Sequence, residues 1–172
     1  SKVGELASIE LFTGAGGLAM GTALAGFDHL AVFEWNRDAC NTLRANASRV
    51  SQMSGWKIRE GDVRKADFRE YMGKVELIAA GAPCQPFSLG GKHKAYDDSR
   101  NMFPEVFRAV REIRPKAVIV ENVKGLLRQS FRPYFEYIVS ALADPELVQK
   151  STETWQEHAL RLKASAKRAA SS

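Results

Sequence analysis

The stretch Gly81-Ala-Pro-Cys-Gln-Pro-Phe-Ser88 follows an apolar run, Val75 to Ala80, and decides how the rest of the sequence is interpreted. The apolar run predicts a β-strand. Prolines on both sides of Cys84 fix their own φ and favour extended backbone before them, so we expect a stiff turn that presents the thiol at the end of the strand. A free cysteine is more often a small buried residue. The polar, glycine-rich surroundings of Cys84 favour a nucleophile instead.

Predicted strands and helices alternate on both sides of this turn. The predicted strands are Ser8 to Thr13, Leu30 to Glu34, Lys57 to Asp62, Val75 to Ala80 and Ala117 to Val120, and the predicted helices are Leu18 to Ala25, Ala39 to Ala47, Phe103 to Ile113 and Tyr134 to Leu142. Short strands that alternate with helices predict an α/β fold, in which helices cover both faces of a parallel sheet.

A glycine turn or a chemically reactive side chain follows every predicted strand. Ligands of parallel sheets bind beyond the carboxyl ends of the strands, so we expect these groups to meet in one site. In strand order they are the turn Gly14-Ala-Gly-Gly17, then Glu34, Asp62, Cys84 and Glu121.

The first three of these groups predict a nucleoside cofactor. The glycine turn opens a helix and lets the backbone approach a ligand closely. Glu34 lies about twenty residues further on, where a carboxylate typically binds ribose hydroxyls. Trp35 offers a flat face to an adenine, and Asp62 can accept a hydrogen bond from the adenine amino group. Each has an ordinary alternative, as a helix-start carboxylate, a core aromatic residue and a turn aspartate. Together they predict an adenosine-type cofactor without a phosphate clamp.

Cys84 and Glu121 predict covalent chemistry. A thiolate is a good nucleophile for an electron-poor carbon. A carboxyl group across the site can hydrogen-bond or protonate a ring nitrogen whose basicity grows during the attack. Glu121 ends an apolar strand, so we expect it to be partly desolvated; a capping or salt-bridged glutamate is the alternative. Asn122 is expected to hold the strand end through hydrogen bonds to the backbone.

The segment from Gly90 to Arg100 follows the nucleophile directly. It contains glycines and basic residues and has no apolar anchor. This composition suits a lid that closes on a phosphate backbone, and it suits a solvated loop equally well.

Three blocks, in this order, resemble the cytosine-C5 DNA methyltransferases. They are Glu10-Leu-Phe-Thr-Gly-Ala-Gly-Gly17, Gly81-Ala-Pro-Cys-Gln-Pro-Phe-Ser88 and Glu121-Asn-Val123. The run Asp98-Ser-Arg-Asn-Met-Phe103 with Glu105 is similar to the block that the family carries before Glu-Asn-Val. The resemblance covers residues 8 to 142 and implies a Rossmann-like class I methyltransferase fold.

The resemblance implies S-adenosylmethionine as cofactor and a cytosine flipped out of double-stranded DNA as substrate. Cys84 would attack C6 while Glu121 engages N3; C5 would then take the methyl group, and loss of the C5 proton would release Cys84. Gln85, Ser88 and Arg100 fall where the catalytic loop of the family meets DNA and the flipped base. The residues implied to line the cofactor pocket are Phe12, Gly14, Gly16, Gly17, Leu18, Glu34, Trp35, Asp62, Val63 and Pro83.

The sequence departs from the family pattern after Leu142. The family continues with a Gln-x-Arg-x-Arg block, a target-recognition domain and a final Asn-containing block, and none of these occurs here. We therefore expect an incomplete sheet without its final strands. Residues 1–142 would form a partial catalytic domain that binds S-adenosylmethionine. Residues 143–172 would form a polar helical extension with a basic tail, in which Trp155, Ala159 and Leu162 make a narrow apolar stripe.

We expect the missing functions to come from a second chain or from a missing C-terminal region. The chain would then be one half of a split enzyme or a fragment, tied by association with the family to restriction-modification. A tRNA cytosine-C5 methyltransferase of the same family and a non-catalytic module that binds S-adenosylmethionine or DNA are the alternatives.

The composition bears on charge, membrane association and redox environment. The net charge is +5, but much of it comes from Arg161, Lys163, Lys167 and Arg168 near the C-terminus, so it says little about the core. No apolar run approaches membrane-spanning length, and we expect no membrane partner. Cys40 and Cys84, the only cysteines, predict free thiols in a reducing cytoplasm. No metal is expected.

Overall fold

The computed structural model describes residues 6–83, 101–122 and 124–171. The strands are β1 (Leu6–Leu11), β2 (Phe27–Glu34), β3 (Ile58–Glu60), β4 (Leu77–Ala80) and β5 (Ala117–Val120). The helices are α1 (Gly17–Leu24), α2 (Arg37–Ala47), α3 (Phe103–Ile113), α4 (Arg132–Ala143) and α5 (Trp155–Ala170). Short 3₁₀ helices lie at Ser51–Met53, Val63–Lys65, Arg69–Tyr71 and Lys124–Leu127.

The five strands form one sheet in the order β3-β2-β1-β4-β5. All four pairings are parallel, which confirms the predicted parallel sheet. The strand order reverses between β1 and β4, so a crevice is expected beyond the carboxyl ends of these two central strands. The groups predicted to form the site follow these ends.

The prediction placed the end of the first strand two residues too late. β1 ends at Leu11, because Phe12 has a φ of 56° and cannot continue an extended strand. The predicted third strand is shortened to Ile58–Glu60, since Asp62 already caps a 3₁₀ helix. β5 and α3 have the predicted bounds.

The chain forms two compact units, one containing residues 1–83 and 112–122 and the other 84–111 and 123–172. The predicted boundary between residues 142 and 143 remains a prediction. In the first unit, Val32 packs with α1, α2 and the segment 50–56, in which Met53 and Trp56 are buried. On the opposite face of β2, Phe33 contacts the rings of Phe68 and Tyr71 edge-on.

A buried histidine joins α1 to the sheet. Nδ1 of His29 lies 2.7 Å from Oγ of Ser8, and Nε2 lies 2.8 Å from the carbonyl oxygen of Ala19. Burial lowers the pKa of His29. A neutral ring with its proton on Nε2 satisfies both contacts, since it donates to Ala19 and accepts from Ser8.

β5 lies at the edge of the described sheet. Its residues are all apolar, yet they are alternately exposed and half-buried, and Ile119 is 47% exposed. Every residue of the neighbouring β4 is buried. An edge strand presents unpaired backbone groups, and here it also presents apolar side chains.

In the second unit α5 packs against α4. His158 is buried; its Nδ1 lies 3.0 Å from the hydroxyl of Tyr137, and its Nε2 lies 2.6 Å from the carbonyl oxygen of Leu147. Leu162 is also buried, and the ring of Trp155 contacts that of Tyr137. The segment is therefore a docked helix, and His158 was missing from the predicted stripe.

An ion pair and a capping box fix the start of α5. Arg161 Nε donates to Glu153 Oε1 at 2.5 Å, and this hydrogen bond lowers the pKa of Glu153 to about 2. Thr154 and Glu157 form a reciprocal capping box. No helix in the described ranges is long and apolar enough to cross a membrane.

Candidate functional site

The glycine turn begins the site at the end of β1. The backbone nitrogen of Thr13 donates to the carbonyl oxygen of Phe33 at 3.1 Å, which ties the turn to β2. Gly14 and Gly16 adopt φ values of 57° and 96°, in the left-handed region that favours glycine. A Cβ on Gly16 would lie 2.8 Å from Leu43 Cδ2, so the helix start is also closely packed. The turn therefore requires glycine at position 16 for two reasons.

The carboxylate of Glu34 is held by the backbone around it. Oε2 accepts from the nitrogen of Gly14 at 2.5 Å, and Oε1 accepts from the nitrogens of Trp35 and Asn36 at 2.8 Å each. A carboxylate has about four acceptor positions, so one remains for a further donor such as a ribose hydroxyl. The residue predicted for ribose binding is thus fixed in place beside the glycine turn.

Trp35 follows directly and is 68% exposed, so its ring is open to a planar ligand. Asn36 begins α2, because its Oδ1 accepts from the nitrogen of Ala39 at 2.9 Å. The capped helix keeps Trp35 between two anchored residues.

Asp62 and Val63 follow β3, which lies beside β2, the strand that ends at Glu34. The nitrogen of Gly61 donates to the carbonyl oxygen of Glu34 at 2.9 Å. Val63 is buried, and Asp62 caps the following 3₁₀ helix by accepting from the nitrogen of Arg64 at 3.0 Å. Hydrogen bonds from Arg64 lower the pKa of Asp62. Asp62 therefore has the geometry of a turn aspartate, which was the alternative interpretation, next to residues predicted to bind the cofactor.

The ends of β4 and β5 meet the glycine turn from the other side. The nitrogen of Gly81 donates to the carbonyl oxygen of Leu11 at 3.1 Å. A Cβ on Gly81 would lie 3.1 Å from the carbonyl oxygen of Phe12 and 3.7 Å from Oε2 of Glu121. Gly81 thus allows the backbone of the turn and the Glu121 carboxylate to approach each other closely.

Asn122 makes a contact of the kind expected for it. Its Nδ2 donates to the carbonyl oxygen of Ala82 at 3.3 Å. The backbone nitrogen of Glu121 donates to the carbonyl oxygen of Ala80 at 2.9 Å. Glu121 itself is exposed, and the expected partial desolvation is wrong for its described surroundings. The reason is that β5 is an edge strand whose side chains are only half covered.

The remaining predicted residues divide into two groups. Leu18 and Pro83 are half-buried, at the start of α1 and just after β4, and Gly17 is exposed. Cys84, Gln85, Ser88 and Arg100 lie outside the described residues, as does the predicted lid from Gly90 to Arg100.

Glu10 begins the glycine block and has no predicted role. It is fully buried in the central strand β1, and neither carboxyl oxygen has a hydrogen-bond partner within the part of the chain that is described. Burial raises its pKa to about 8. Side chains alternate along a strand, so Glu10 lies on the same face as Ser8, the face that α1 covers. An acidic residue inside the apolar run Ser8 to Phe12 was the signal that could have identified it.

Hydrogen bonds at the carboxyl ends of the strands therefore join the glycine turn to Glu34, and Glu34 to Gly61, the residue before Asp62. In the described ranges no group of three or more His, Cys, Asp or Glu residues is placed to hold a metal ion.

Comparison with known proteins is consistent with this arrangement. The model of the family described as C-5 cytosine-specific DNA methylase matches residues 6–146. The Type II methyltransferase M.NgoMIV of Neisseria gonorrhoeae is 42% identical over 139 residues, which is 81% of this chain and 42% of that protein. M.Eco47II of Escherichia coli is 40% identical over 137 residues, 79% of this chain and 31% of that protein. M.AquIA of Picosynechococcus is 36% identical over 145 residues, 80% of this chain and 56% of that protein.

The chain thus spans between about a third and a little over half of the length of these relatives. Among solved structures, a DNA modification methyltransferase encoded within an Escherichia coli prophage superposes with a TM-score of 0.56 at 29% identity, over 79% of this chain and 38% of that one. An RNA methyltransferase from Pyrococcus horikoshii, 20% identical with a TM-score of 0.51 over 78% of this chain and 56% of that one, shares the fold. The predicted methyltransferase fold class is confirmed.

Proposed function

Because the chain belongs to the family of C-5 cytosine-specific DNA methylases, we propose that it is the cofactor-binding and catalytic part of a DNA cytosine-C5 methyltransferase. One observation carries this proposal. The carboxylate of Glu34 is held against the glycine turn by Gly14, and Gly81 brings the same turn close to Glu121. Residues predicted for the cofactor and for catalysis therefore adjoin one turn.

S-adenosylmethionine fits the described half of this site and would supply an electrophilic methyl group. Glu34 keeps one acceptor position for a ribose hydroxyl, and the exposed ring of Trp35 offers a face to the adenine. Phe12, Gly16, Gly17, Leu18, Val63 and Pro83 complete the residues that we assign to this pocket. The left-handed turn between Phe12 and Gly16 brings the backbone, instead of bulky side chains, next to the ligand.

For the reaction we assign Cys84 as the nucleophile that forms a bond to C6 of the cytosine. Glu121 would hydrogen-bond or protonate N3, and this contact offsets the negative charge that the attack places on the ring. Removal of the C5 proton after methyl transfer would break the bond to Cys84. Asn122, which holds the end of β4 through Ala82, would position Glu121, and Gln85, Ser88 and Arg100 would contact the DNA or the flipped base.

A second chain or a further region of the same polypeptide would supply target recognition. Two observations support this part of the proposal: the relatives are longer than the matched region, and the apolar edge of β5 is half exposed. We also propose a role in restriction-modification, as in the Type II relatives, and a location in the cytoplasm. The predicted divide between a catalytic part, 1–142, and an extension, 143–172, belongs to the same proposal.

Trapping on a mechanism-based substrate tests the proposal. A duplex that carries 5-fluorocytosine should form an S-adenosylmethionine-dependent covalent adduct, because fluorine at C5 prevents release of the cysteine. The chain is assayed with and without the segment that carries target recognition, and the adduct is located by peptide mass spectrometry. We expect it on Cys84; Cys84→Ala should abolish it, and Cys40→Ala should not.

The outcomes separate the alternatives. An adduct with 5-fluorocytosine in tRNA but not in DNA would favour the RNA enzyme. Binding of S-adenosylmethionine without any adduct, in the completed enzyme, would favour the non-catalytic module and contradict our proposal.

A further inference from the structure

His29, in β2, connects the start of α1 to the sheet. Its ring is buried; Nδ1 lies 2.7 Å from Oγ of Ser8 in β1, and Nε2 lies 2.8 Å from the carbonyl oxygen of Ala19 in α1. The hydroxyl of Thr22, also in α1, lies 3.0 Å from Nε2. A carbonyl oxygen can only accept, so Nε2 carries the proton and donates to α1, while Nδ1 accepts from Ser8. One side chain therefore joins three elements of the first unit.

The start of α1 has few local interactions that hold it in place. Gly16 occupies the cap position and has no side chain to accept from the nitrogens of the first turn, and that turn contains no acidic residue. The start of α2 differs, because Oδ1 of Asn36 caps it and Asp38 lies in its first turn. The position of the α1 start therefore depends more on tertiary contacts, such as the one that His29 makes with Ala19.

The contact with His29 falls on a peptide group that is bonded to the glycine turn. The carbonyl oxygen of Ala19 and the nitrogen of Met20 belong to one planar peptide group. The nitrogen of Met20 donates to the carbonyl oxygen of Gly16 at 2.8 Å, and the nitrogen of Gly16 donates to that of Thr13 at 3.0 Å. A movement of this peptide group is therefore transmitted to the backbone of the turn.

We infer that His29 is a positioning residue for the cofactor, because through this peptide group it holds the glycine turn in the form that binds S-adenosylmethionine. This inference rests on the proposed function. Without the contact, α1 remains on the sheet but its first turn is free to move, and the cofactor must order the turn when it binds. Ordering the turn costs free energy, so the affinity for the cofactor falls.

Substitutions at position 29 separate the two contacts. Glutamine places its amide as many bonds from the backbone as Nε2, so His29→Gln keeps a donor for Ala19 and loses the acceptor for Ser8. Asparagine places its amide as many bonds away as Nδ1, so His29→Asn keeps the acceptor and loses the donor. His29→Leu removes both. Ser8→Ala is the matched control, because it removes the contact with β1 and leaves the ring in place.

The four variants are compared by urea denaturation and by calorimetric titration with S-adenosylhomocysteine. All four should be less stable than the parent chain, since each loses at least one buried hydrogen bond. Only His29→Asn and His29→Leu should also bind the ligand more weakly, by about two- to tenfold, which is the range for one hydrogen bond. His29→Gln and Ser8→Ala should bind within about twofold of the parent chain.

Hydrogen exchange without ligand reports the order of the turn directly. The amide of Met20 donates to Gly16 and should exchange about two- to tenfold faster in His29→Asn than in His29→Gln. The amide of Cys40 is the control within the same unit. It donates to the carbonyl oxygen of Asn36 at 3.0 Å, at the start of α2, and should exchange alike in both variants.

Equal affinities of His29→Gln and His29→Asn would overturn the inference and leave His29 with a role in stability alone. Equal exchange of the Met20 amide in these two variants, or a loss of affinity in Ser8→Ala as large as that in His29→Asn, would overturn it as well. Failure of the parent chain and of every variant to bind S-adenosylhomocysteine would instead reject the proposed function and, with it, the effect on affinity. The exchange of Met20 would then decide by itself whether His29 orders the turn.

Discussion

Oε2 of Glu34 accepts a hydrogen bond from the backbone nitrogen of Gly14 at 2.5 Å, and this contact joins the carboxyl ends of β1 and β2. The same side chain accepts from the nitrogens of Trp35 and Asn36. One carboxylate therefore holds the glycine turn and the start of the loop to α2. Its structural role and its proposed ribose-binding role depend on the same atoms.

Glu34→Gln should weaken both roles, because an amide places an N–H₂ group against one set of backbone donors. We expect a loss of about 1–3 kcal/mol in the free energy of unfolding, the range for hydrogen bonds to a charged group. Binding of S-adenosylhomocysteine should weaken about tenfold or more. Urea denaturation and calorimetry measure the two effects. Glu60→Gln, an exposed change on the neighbouring strand, should leave the ligand affinity unaltered.

Gly16→Ala should destabilise the fold by about 1–3 kcal/mol, because the position combines a φ of 96° with a Cβ position 2.8 Å from Leu43. Gly21 offers the control. It lies inside α1, and a Cβ there would meet nothing within 4 Å. Gly21→Ala should stabilise the chain by about 0.5–1 kcal/mol through helix propensity. Equal effects of the two substitutions on thermal unfolding would contradict the proposed packing at Gly16.

Glu10 should make stability depend on pH. Its pKa is about 8 in the folded chain and 4.5 when unfolded, so the folded state binds more protons between these values. The stabilisation is fully present below pH 4.5 and is lost as pH rises through about 8. We therefore expect the free energy of unfolding to fall by several kcal/mol between pH 5 and pH 8.5.

Glu10→Gln should remove most of this pH dependence of the free energy of unfolding, because the amide does not ionise. Glu60→Gln should retain it. Urea denaturation across this pH range measures the slope. A slope that is the same in the parent chain and in Glu10→Gln would show that Glu10 titrates normally.

His158 should anchor α5. His158→Ala leaves the Tyr137 hydroxyl and the Leu147 carbonyl oxygen without their partner, and we expect a loss of about 1–3 kcal/mol. Leu160 is 68% exposed on the same helix, and Leu160→Ala should change stability by less than about 0.5 kcal/mol. Hydrogen exchange of the α5 amides reports the docking directly. Unchanged protection of the α5 amides in His158→Ala would mean that Trp155 and Leu162 are sufficient to hold α5 against α4.

The strands were predictable where the local pattern is unambiguous. β5 and α3 have the predicted bounds, because each is a short apolar run or a helical periodicity between clear breaks. The end of β1 was misplaced because Phe12 is apolar and looks like a strand residue, although its φ is positive. The Val50 to Trp56 segment looks polar, and the burial of Met53 and Trp56 depends on residues of α1 and β2 that are distant in sequence.

The environment of the carboxylates was less predictable than their positions. Glu121 was expected to be partly desolvated and is exposed, because burial at an edge strand depends on whether another element covers it. Glu10 and the pairing of Asp62 with Arg64 were not anticipated at all. Each depends on atoms that the apolar pattern does not specify.

By itself the sequence determined the class of fold and which chemical groups follow which strand, because apolar periodicity, glycines and prolines act on their immediate neighbours. Only the tertiary structure decided how far those groups are buried and which hydrogen bonds they make. Glu34 is bound to a turn twenty residues away in sequence, Asp62 is paired with Arg64, and Glu10 is buried without a hydrogen-bond partner among the described residues. Burial and hydrogen bonding depend on the atoms that the fold brings together, and these come from distant parts of the chain.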